Sequence, residues 1–149
     1  MRIAIGADHA GYVMKDAIGQ YLRNAGHEVL DFGTDSPEAV DYPDYALAIG
    51  KAIQSGDADR GVLVCGSGAG ITVAANKMKG IRAALCEDAY TAHQCVEHDD
   101  VNVFCIGSRV IANELALDLL RIWLSASFTG EERHVRRLSK IQEMESTEG

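Results

Sequence analysis

The chain has 149 residues, of which 47% are apolar and 24% are charged, proportions typical of one globular domain. With 14 Lys and Arg residues against 22 Asp and Glu residues, its net charge is −8, which disfavours nucleic acid and anionic membrane surfaces as partners. No apolar run approaches the roughly 20 residues that cross a bilayer, and the N-terminus does not form a secretory signal. Four widely spaced cysteines without a CxxC pair predict a cytoplasmic protein with reduced thiols and no metal site.

Short apolar runs alternate with amphipathic segments along the whole chain. Unbroken apolar runs are typical of strands buried on both faces of a parallel sheet, whereas a recurrence every three or four residues is typical of helices. Five strands are predicted by the runs IAIGA from Ile3, EVLDFG from Glu28, VLVCG from Val62, RAALC from Arg82 and NVFCIG from Asn102.

The segments between these runs have helical spacing. Helices are predicted around Val13, Ile18 and Leu22, around Ala46, Ile49, Ala52 and Ile53, and over residues 69–79, 90–97, 112–125 and 132–145. This alternation predicts one α/β domain over residues 1–149, a doubly wound, Rossmann-like five-stranded parallel sheet with helices on both faces. The end of the chain, from about residue 144, is expected to be frayed.

Polar and glycine-rich segments follow the predicted strands. In open parallel sheets, ligands bind beyond the carboxyl ends of the strands, where the strand order reverses. The candidates at these ends are Asp8 and His9 after the first strand, residues 65–70 after the third, Glu87 and Asp88 after the fourth, and Ser108 and Arg109 after the fifth.

The loop of residues 65–70, CGSGAG, is the most informative of these segments. Its three glycines allow the backbone to approach a ligand, and the following helix directs unpaired N–H groups at it. The loop lacks the lysine of a Walker motif and does not match the GxGxxG dinucleotide motif. Ile71 stands where a cysteine phosphatase of the CX5R type would need arginine. Tight packing alone is the alternative explanation of these glycines.

Cys65 is a thiol at a strand end, followed by this set of N–H donors. A helix dipole stabilises a thiolate by about 0.3–1 kcal/mol, less than one pKa unit at about 1.4 kcal/mol. Proton abstraction by Cys65 would therefore also need the geometry of a bound substrate. The alternative is that Cys65 is a small core hydrophobe, as buried cysteines usually are. Asp8 also has two interpretations, as a helix N-cap or as a ligand-binding carboxylate.

His98 belongs to a polar segment, His98-Asp99-Asp100, that precedes the fifth strand. Parallel strands would place His98 at the amino end of the sheet and Cys65 at the carboxyl end, on the order of 15 Å apart. That separation is too long for two groups that act on neighbouring atoms. His98 becomes a site residue only if a second subunit brings it across to Cys65.

One strong basic cluster stands in this acidic chain and consists of Arg133, His134, Arg136, Arg137 and Lys140. On a helix, Arg133 and Arg137 are i, i+4 neighbours, so that two guanidinium groups would face one side and suit phosphate oxygens. Arg109, at the ligand end of the last strand, supports a phosphate site. The alternative is a solvated helix face balanced by the neighbouring glutamates.

Six segments that cover nearly the whole chain are distinctive in combination: GADHAG from Gly6, DYPDY from Asp41, CGSGAGITVAANK from Cys65, GIRAALC from Gly80, HDDVNVFCIGSR from His98 and RHVRR from Arg133. In order and spacing they resemble the ribose-5-phosphate isomerases of the B type. The resemblance implies a doubly wound sheet, a small phosphorylated sugar as substrate, and no metal or cofactor. It also implies a homodimer or a dimer of dimers whose active sites are shared, so that His98 arrives from the neighbouring chain.

The resemblance implies roles for individual residues. Cys65 is similar to the family's catalytic base and His98 to its ring-opening residue, and Asp8 and His9 match sugar- or phosphate-binding positions. In the reaction predicted for this chain, Asp8 assists His98 in ring opening and Ser67 passes a proton between two sugar oxygens. The implied substrate-binding residues are His9, Tyr42, Gly66, Gly68, Ala69, Gly70, Asp99, Arg109, Arg133 and Arg137. Among these, the loop residues match an anion hole and the arginines match the phosphate-binding side. Family members without the cysteine use a glutamate at the position of Ile71, so this chain resembles the cysteine subtype.

The chain departs from the family pattern at two places. Asp99 stands where asparagine is usual, and an ionised aspartate only accepts hydrogen bonds, whereas asparagine also donates them. Glu131 and Glu132 stand where Gly-Gly is common. The predicted reaction is the interconversion of ribose 5-phosphate and ribulose 5-phosphate through an enediolate. The alternatives are an isomerase of a six-carbon sugar phosphate, such as allose 6-phosphate or galactose 6-phosphate, and a non-catalytic sugar-phosphate-binding domain.

Overall fold

A computed structural model describes the backbone of residues 1–148 and the side chains of residues 1–147. The elements are β1 (Arg2–Ala7), α1 (Tyr12–Asn24), β2 (Glu28–Asp31), α2 (Tyr42–Gln54), β3 (Arg60–Cys65), α3 (Ala69–Ala75), β4 (Ala83–Leu85), α4 (Ala89–Asp99), β5 (Val103–Gly107), α5 (Asn113–Ser125) and α6 (Glu132–Glu148). The strands form one sheet in the order β2-β1-β3-β5-β4, and every neighbouring pair is parallel. The predicted doubly wound five-stranded parallel sheet is thus confirmed.

The strand order reverses between β1 and β3. From β1 the chain moves outward to β2, and after β3 it continues on the other side of the sheet to β4 and β5. A crevice therefore opens beyond the carboxyl ends of β1 and β3, where ligands bind in sheets of this kind. Asp8 follows β1 and Cys65 ends β3, so both residues flank the crevice.

Two apolar layers enclose the sheet, which is why its central strands have unbroken apolar sequences. One layer packs α1, α4 and α5 against the sheet and contains Phe104 and Trp123, whose ring centroids are 5.6 Å apart. The other layer packs α2 and α3 against the opposite face around Ile49, Leu63 and Ile71. All five side chains are fully buried, and each buried aliphatic side chain contributes about 1.5–3 kcal/mol.

The first helix turns its apolar face differently from the prediction. The sequence predicts Val13 on the buried face, but Val13 is 60% exposed. Met14 takes the buried position instead, because it is in step with Ile18 and Leu22 at intervals of four residues.

The third helix is shorter than the predicted residues 69–79, since it ends at Ala75. Asn76 follows, and its side-chain amide donates to the carbonyl of Ala83 at 2.9 Å while its Oδ1 accepts from the N–H of Ala83 at 2.8 Å. The asparagine thus pairs with the edge strand β4 rather than continuing the helix.

The end of the chain is helical as far as the structure describes it. The sequence predicts a frayed tail from about residue 144, but α6 instead continues to Glu148. The carboxylate of Glu145 accepts a hydrogen bond from the N–H of Gly80 at 3.2 Å, which anchors the last turns. Gly149, the final residue of the predicted tail, lies outside the described residues. None of the helices within residues 1–148 is long and apolar enough to span a membrane.

Candidate active site

A cavity of about 370 Å³ opens at the carboxyl ends of β1, β3 and β5. Its lining consists of Asp8, Tyr42, Cys65, Gly66, Ser67, Gly70, Arg109 and Val110. All but Val110 are candidates predicted from the sequence, and Gly68 and Ala69 lie in the same loop between them. The volume is within the range of sites that bind small metabolites.

Cys65 is held by the loop that follows it. The residue is 4% exposed, and the backbone N–H of Gly68 donates a hydrogen bond to its Sγ at 3.1 Å. Gly68 has a φ of 82°, in the left-handed region that favours glycine. A Cβ there would lie 2.5 Å from Cδ1 of Leu85 and 2.9 Å from the backbone carbon of Ile106. Only glycine at this position therefore allows the N–H to reach the sulfur, where it is oriented to stabilise negative charge.

Two further glycines bring the loop against its neighbours. A Cβ at Gly107 of β5 would lie 2.4 Å from the carbonyl oxygen of Ser67, and a Cβ at Gly70 would lie 2.7 Å from Cζ of Tyr42. Ser67 Oγ accepts a hydrogen bond from the N–H of Ala69 at 3.2 Å. Close packing thus explains several of these glycines, and the same packing places Ser67 and Tyr42 on the wall of the cavity.

Arg109 closes the cavity on the side of Gly66. Its backbone N–H donates to the carbonyl of Gly66 at 2.9 Å, and its Nη1 lies 3.2 Å from where a Cβ of Gly66 would be. Ser108, the preceding residue, donates its hydroxyl to the carbonyl of Ala10 at 2.7 Å and so joins β5 to the loop after β1. The guanidinium group of Arg109 therefore lies over the glycine loop, where it is complementary to an anionic ligand.

Asp8 and His9 stabilise the turn after β1. Asp8 is 7% exposed, and its Oδ1 accepts hydrogen bonds from the N–H groups of Ala10 at 3.0 Å and Gly11 at 3.2 Å. Because Gly11 is the N-cap residue of α1, Asp8 closes the preceding turn and is not the helix cap that the sequence suggested as one interpretation. The half-buried His9 accepts a hydrogen bond at Nδ1 from the N–H of Val40 at 3.2 Å.

Of the predicted site residues, three adjoin the lining without being part of it: His9, Gly68 and Ala69. Four lie away from this cavity: His98, Asp99, Arg133 and Arg137. Helix α4 ends at Asp99 and leads into β5 at the amino end of the sheet. His98 therefore lies at the opposite end of the sheet from Cys65, as the chain order predicts. Asp99 lines a separate groove of about 740 Å³ between β4, α4 and α6. One chain does not bring the two halves of the predicted site together.

His98 has two close partners that sequence analysis did not identify. Nε2 of Gln94 lies 3.0 Å from Nδ1 of His98, and the imidazole of His134 stacks on His98 with ring centroids 4.2 Å apart and an angle of 25° between the planes. His134 is 2% exposed, and burial, together with the nearby His98 and Arg133, lowers its pKa. The i, i+4 spacing of Gln94 and His98 was the available signal for the first contact. The second contact depends on tertiary packing.

The arginines of the basic cluster are exposed on α6. Arg133 pairs with Glu131, and Arg136 pairs with Glu132 at 3.2 Å. Both glutamates are also exposed, and such surface pairs contribute only about 0–1 kcal/mol. A phosphate can therefore replace Glu131 as the partner of Arg133 at little cost, so the ion pairs seen here are compatible with phosphate binding.

The other cysteines are core side chains. Burial raises the pKa of Cys105 to about 12. The sulfur of Cys86 is 4.0 Å from that of Cys95, and this neighbour together with burial raises the pKa of Cys86. Of the four cysteines, Cys65 is the one that lines the cavity.

One acidic cluster within residues 1–148 has the spacing of a metal site. The carboxylate oxygens of Asp16, Asp31 and Asp35 lie within 4.8 Å of one another. The ammonium of the fully buried Lys15 pairs with them at 3.2, 2.8 and 2.9 Å. Burial alone would lower the pKa of Lys15, but the three hydrogen bonds outweigh burial and raise it above 10.5. Lys15 therefore compensates the charge of the cluster and clamps the segment that leads from β2 towards Tyr42.

Comparisons with known proteins relate the chain to sugar-phosphate isomerases. A sequence profile described as Ribose/Galactose Isomerase matches residues 3–141. Ribose-5-phosphate isomerase B of Escherichia coli is 44% identical over 144 residues, which are 97% of this chain and 96% of that protein. A solved ribose-5-phosphate isomerase B of Clostridium thermocellum has a TM-score of 0.98 and 48% identity, with 100% of both chains covered. The Mycoplasma genitalium enzyme, solved with bound ribulose-5-phosphate, has a TM-score of 0.91 and 37% identity over 97% of this chain and 96% of its own.

Proposed function

The chain belongs to the ribose/galactose isomerase family, and we propose that it interconverts ribose 5-phosphate and ribulose 5-phosphate through an enediolate. The observation that carries this proposal is the cavity at the carboxyl edge of the sheet, where the Gly68 N–H meets the sulfur of Cys65. A thiol, an imidazole and backbone amides suffice for the chemistry, so the reaction needs no metal or cofactor.

Cys65 is the proposed base. Its thiolate takes the proton from C2 of ribose 5-phosphate and returns it to C1, which converts the aldose into the ketose. Between these two proton transfers, negative charge develops on the sugar oxygens of the enediolate. The backbone N–H groups of the loop stabilise this charge, and they belong to Gly66, Ser67, Gly68, Ala69 and Gly70. Ser67, which also lines the cavity, passes a proton between the oxygens on C1 and C2.

Ring opening precedes this step, because ribose 5-phosphate is largely a furanose. As the C1–O4 bond breaks, O4 gains a proton and the C1 hydroxyl loses one. His98 and Asp8 are the two groups proposed for these transfers. Asp99, beside His98, is proposed to accept hydrogen bonds from sugar hydroxyls.

Arg109, Arg133 and Arg137 are proposed to hold the phosphate, with His9 and Tyr42 along the sugar. Forked guanidinium groups match phosphate oxygens, and binding energy from the unreactive phosphate positions C1 and C2 at the base. Arg109 lies over the glycine loop, whereas the other two arginines lie on α6 with the His98 half.

A second subunit is proposed to complete the site. Cys65 and His98 lie at opposite ends of one sheet, so both can act on one sugar only if His98 comes from a neighbouring chain. A two-fold homodimer would form two such sites at once, and a dimer of dimers would form four. The cytoplasm is the proposed location, since the cysteines are free and the substrate is an intracellular class of metabolite.

Side-by-side kinetics test the substrate assignment. Purified protein is assayed with ribose 5-phosphate, allose 6-phosphate and galactose 6-phosphate, and the highest kcat/KM is expected for the pentose. A higher kcat/KM for a hexose would favour the second candidate, which Asp99 and the galactose members of the family suggest. Binding of all three sugars without turnover would indicate the non-catalytic alternative instead.

A further inference from the structure

The ring of His98 is fixed from two sides in the free chain. Nε2 of Gln94, one helical turn earlier on α4, lies 3.0 Å from Nδ1 of His98. The buried His134 covers one face of the ring at 4.2 Å between centroids. His134 is itself fixed, because its Nδ1 lies 2.8 Å from the hydroxyl of Thr129. Thr129 in turn donates its backbone N–H to the carbonyl of Glu97 at 3.0 Å, which ties the loop before α6 to α4.

The direction of the Gln94–His98 hydrogen bond follows from the orientation of the amide, whose Nε2 and not Oε1 faces the ring. The nitrogen of a primary amide only donates, so Nδ1 of His98 must present its lone pair as acceptor. A neutral imidazole has one N–H, which is then on Nε2. The tautomer that results offers a donor on the side of the ring opposite Gln94.

We propose that Gln94 is a positioning residue for His98: its amide N–H selects the tautomer protonated at Nε2, so that His98 meets the substrate as a hydrogen-bond donor. The inference rests on the proposed function and deepens it, because it assigns the direction of the hydrogen bond between His98 and the sugar. Nε2–H donates a hydrogen bond to the ring oxygen of the furanose and transfers its proton to O4 as the C1–O4 bond breaks. The C1 hydroxyl gives its proton to Asp8, and the return of that proton from Asp8 to Nε2 through solvent restores both groups.

Three variants test the inference. Gln94→Leu removes the donor and keeps the size of the side chain, whereas Gln94→Glu replaces the donor by an acceptor that favours Nδ1–H. Gln20→Leu is the matched control, because Nε2 of Gln20 makes an equivalent i, i+4 hydrogen bond to Asn24 at 3.0 Å on the distant helix α1. Circular dichroism and thermal melting establish that each variant is folded.

Two reactions separate ring opening from proton transfer. Conversion of ribose 5-phosphate requires the ring to open, whereas ribulose 5-phosphate is acyclic and exchanges its C1 hydrogen with deuterated water through the Cys65 step alone. We expect Gln94→Leu to slow conversion of ribose 5-phosphate by about 3- to 10-fold, as one hydrogen bond is worth. Exchange at C1 of ribulose 5-phosphate stays at the wild-type rate, and Gln20→Leu changes neither reaction.

The tautomer itself is read by nitrogen-15 NMR of the histidine side chains. The wild type should show His98 protonated at Nε2, and Gln94→Glu should shift the proton to Nδ1 and slow ring opening more than Gln94→Leu does. His98 protonated at Nδ1 in the wild type, or equal losses of both reactions in Gln94→Leu, would overturn the inference. Failure of the wild type in both reactions would instead overturn the proposed function, and the NMR spectrum would still decide the role of Gln94.

Discussion

The two halves of the candidate site differ in how the chain holds them. At the carboxyl end of the sheet, Cys65 is nearly buried and fixed by a backbone N–H from Gly68, and close packing against β5 fixes the loop. At the amino end, His98 and Arg133 lie on the helices α4 and α6 and are held by side chains alone. The first half is a packed loop around a small cavity, whereas the second consists of side chains on two helices beside a larger groove.

This difference has an energetic meaning. Backbone amides in a packed loop are already oriented before the substrate arrives, so they stabilise developing charge without reorganisation. An exposed arginine such as Arg133 exchanges one partner for another at low cost, which suits binding and release of a phosphate. In the proposed mechanism the buried half carries the proton transfer between C1 and C2, and the exposed half supplies His98 for ring opening and two phosphate-binding arginines to a neighbouring chain.

The largest effect is expected from Cys65→Ser in the buried half. An alcohol is a far weaker base than a thiolate, so C2 proton exchange should fall by about 10²- to 10⁴-fold while KM changes little. Exchange is measured by NMR in deuterated water. Cys105→Ala is the control, because it alters a buried thiol on β5 that does not line the cavity. A near wild-type exchange rate in Cys65→Ser would remove Cys65 from its role.

Substitutions of the arginines in the exposed half should change KM rather than the rate of proton transfer. Arg133→Ala and Arg137→Ala should each lose about 1.5–3 kcal/mol of charged hydrogen bonding, which raises KM about 10- to 150-fold. Arg136→Ala is the matched control on the same helix, since Arg136 pairs with Glu132 and has no proposed role at the site. If the first two variants kept the wild-type KM, the basic cluster would be a solvated helix face.

Glycine-to-alanine substitutions in the strands test how closely the loop of residues 65–70 packs against the sheet. In Gly107→Ala the new Cβ would meet the carbonyl oxygen of Ser67 at 2.4 Å, so unfolding free energy should drop by about 1–3 kcal/mol and kcat should fall. The corresponding change in β1, Gly6→Ala, meets its nearest atoms at 3.4 Å and should be nearly neutral. Chemical denaturation compares the two. Equal losses of unfolding free energy in the two variants would show that the contact between the loop and β5 is not the reason why position 107 requires glycine.

The smallest effect is expected from the ion pairs of Lys15 with Asp16, Asp31 and Asp35. Because the pKa of Lys15 is raised on folding, its stabilisation is fully present below pH 10.5 and is lost as the pH rises through the folded pKa. Lys15→Met should cost about 1 kcal/mol, since two of the three carboxylates are well exposed.

Unfolding of Lys15→Met and the wild type is compared by denaturation between pH 7 and pH 11. The difference between them should stay constant to about pH 10.5 and shrink above it. Lys51→Met, which removes an exposed lysine on α2, is the control for the loss of a lysine side chain as such. A difference that grows with alkaline pH would contradict the stabilisation by these ion pairs.

The sequence predicts much of the buried half, because its determinants are local in the chain. Apolar runs identify the strands, and the residues that follow them, such as Asp8 and Cys65, lie at the carboxyl edge in any parallel arrangement. The strand order depends on partners distant in sequence, and the end of α3 at Ala75 depends on the contact of Asn76 with Ala83 of β4. Composition and spacing do not encode those pairings.

The exposed half is less predictable for the same reason. The position of His98 at the far end of the sheet follows from chain order, but its stacking on His134 depends on how α6 packs against α4. The tail beyond residue 144 is helical and contacts Gly80 through Glu145, a pairing across 65 residues of sequence. The family resemblance supplied the proposed roles of these groups, which local sequence patterns alone do not.

The central claim, that one active site combines the halves of two chains, is tested most directly by complementation. Inactive Cys65→Ser and inactive His98→Ala proteins are mixed in equal amounts under conditions that allow subunit exchange, and mass tags on each variant verify that heterodimers form. Each heterodimer would contain one site with both residues intact and one site with neither, so activity should recover to about a quarter of the wild type. No recovery in a mixture with proven heterodimers would mean that Cys65 and His98 act within one chain, and the shared site would be contradicted.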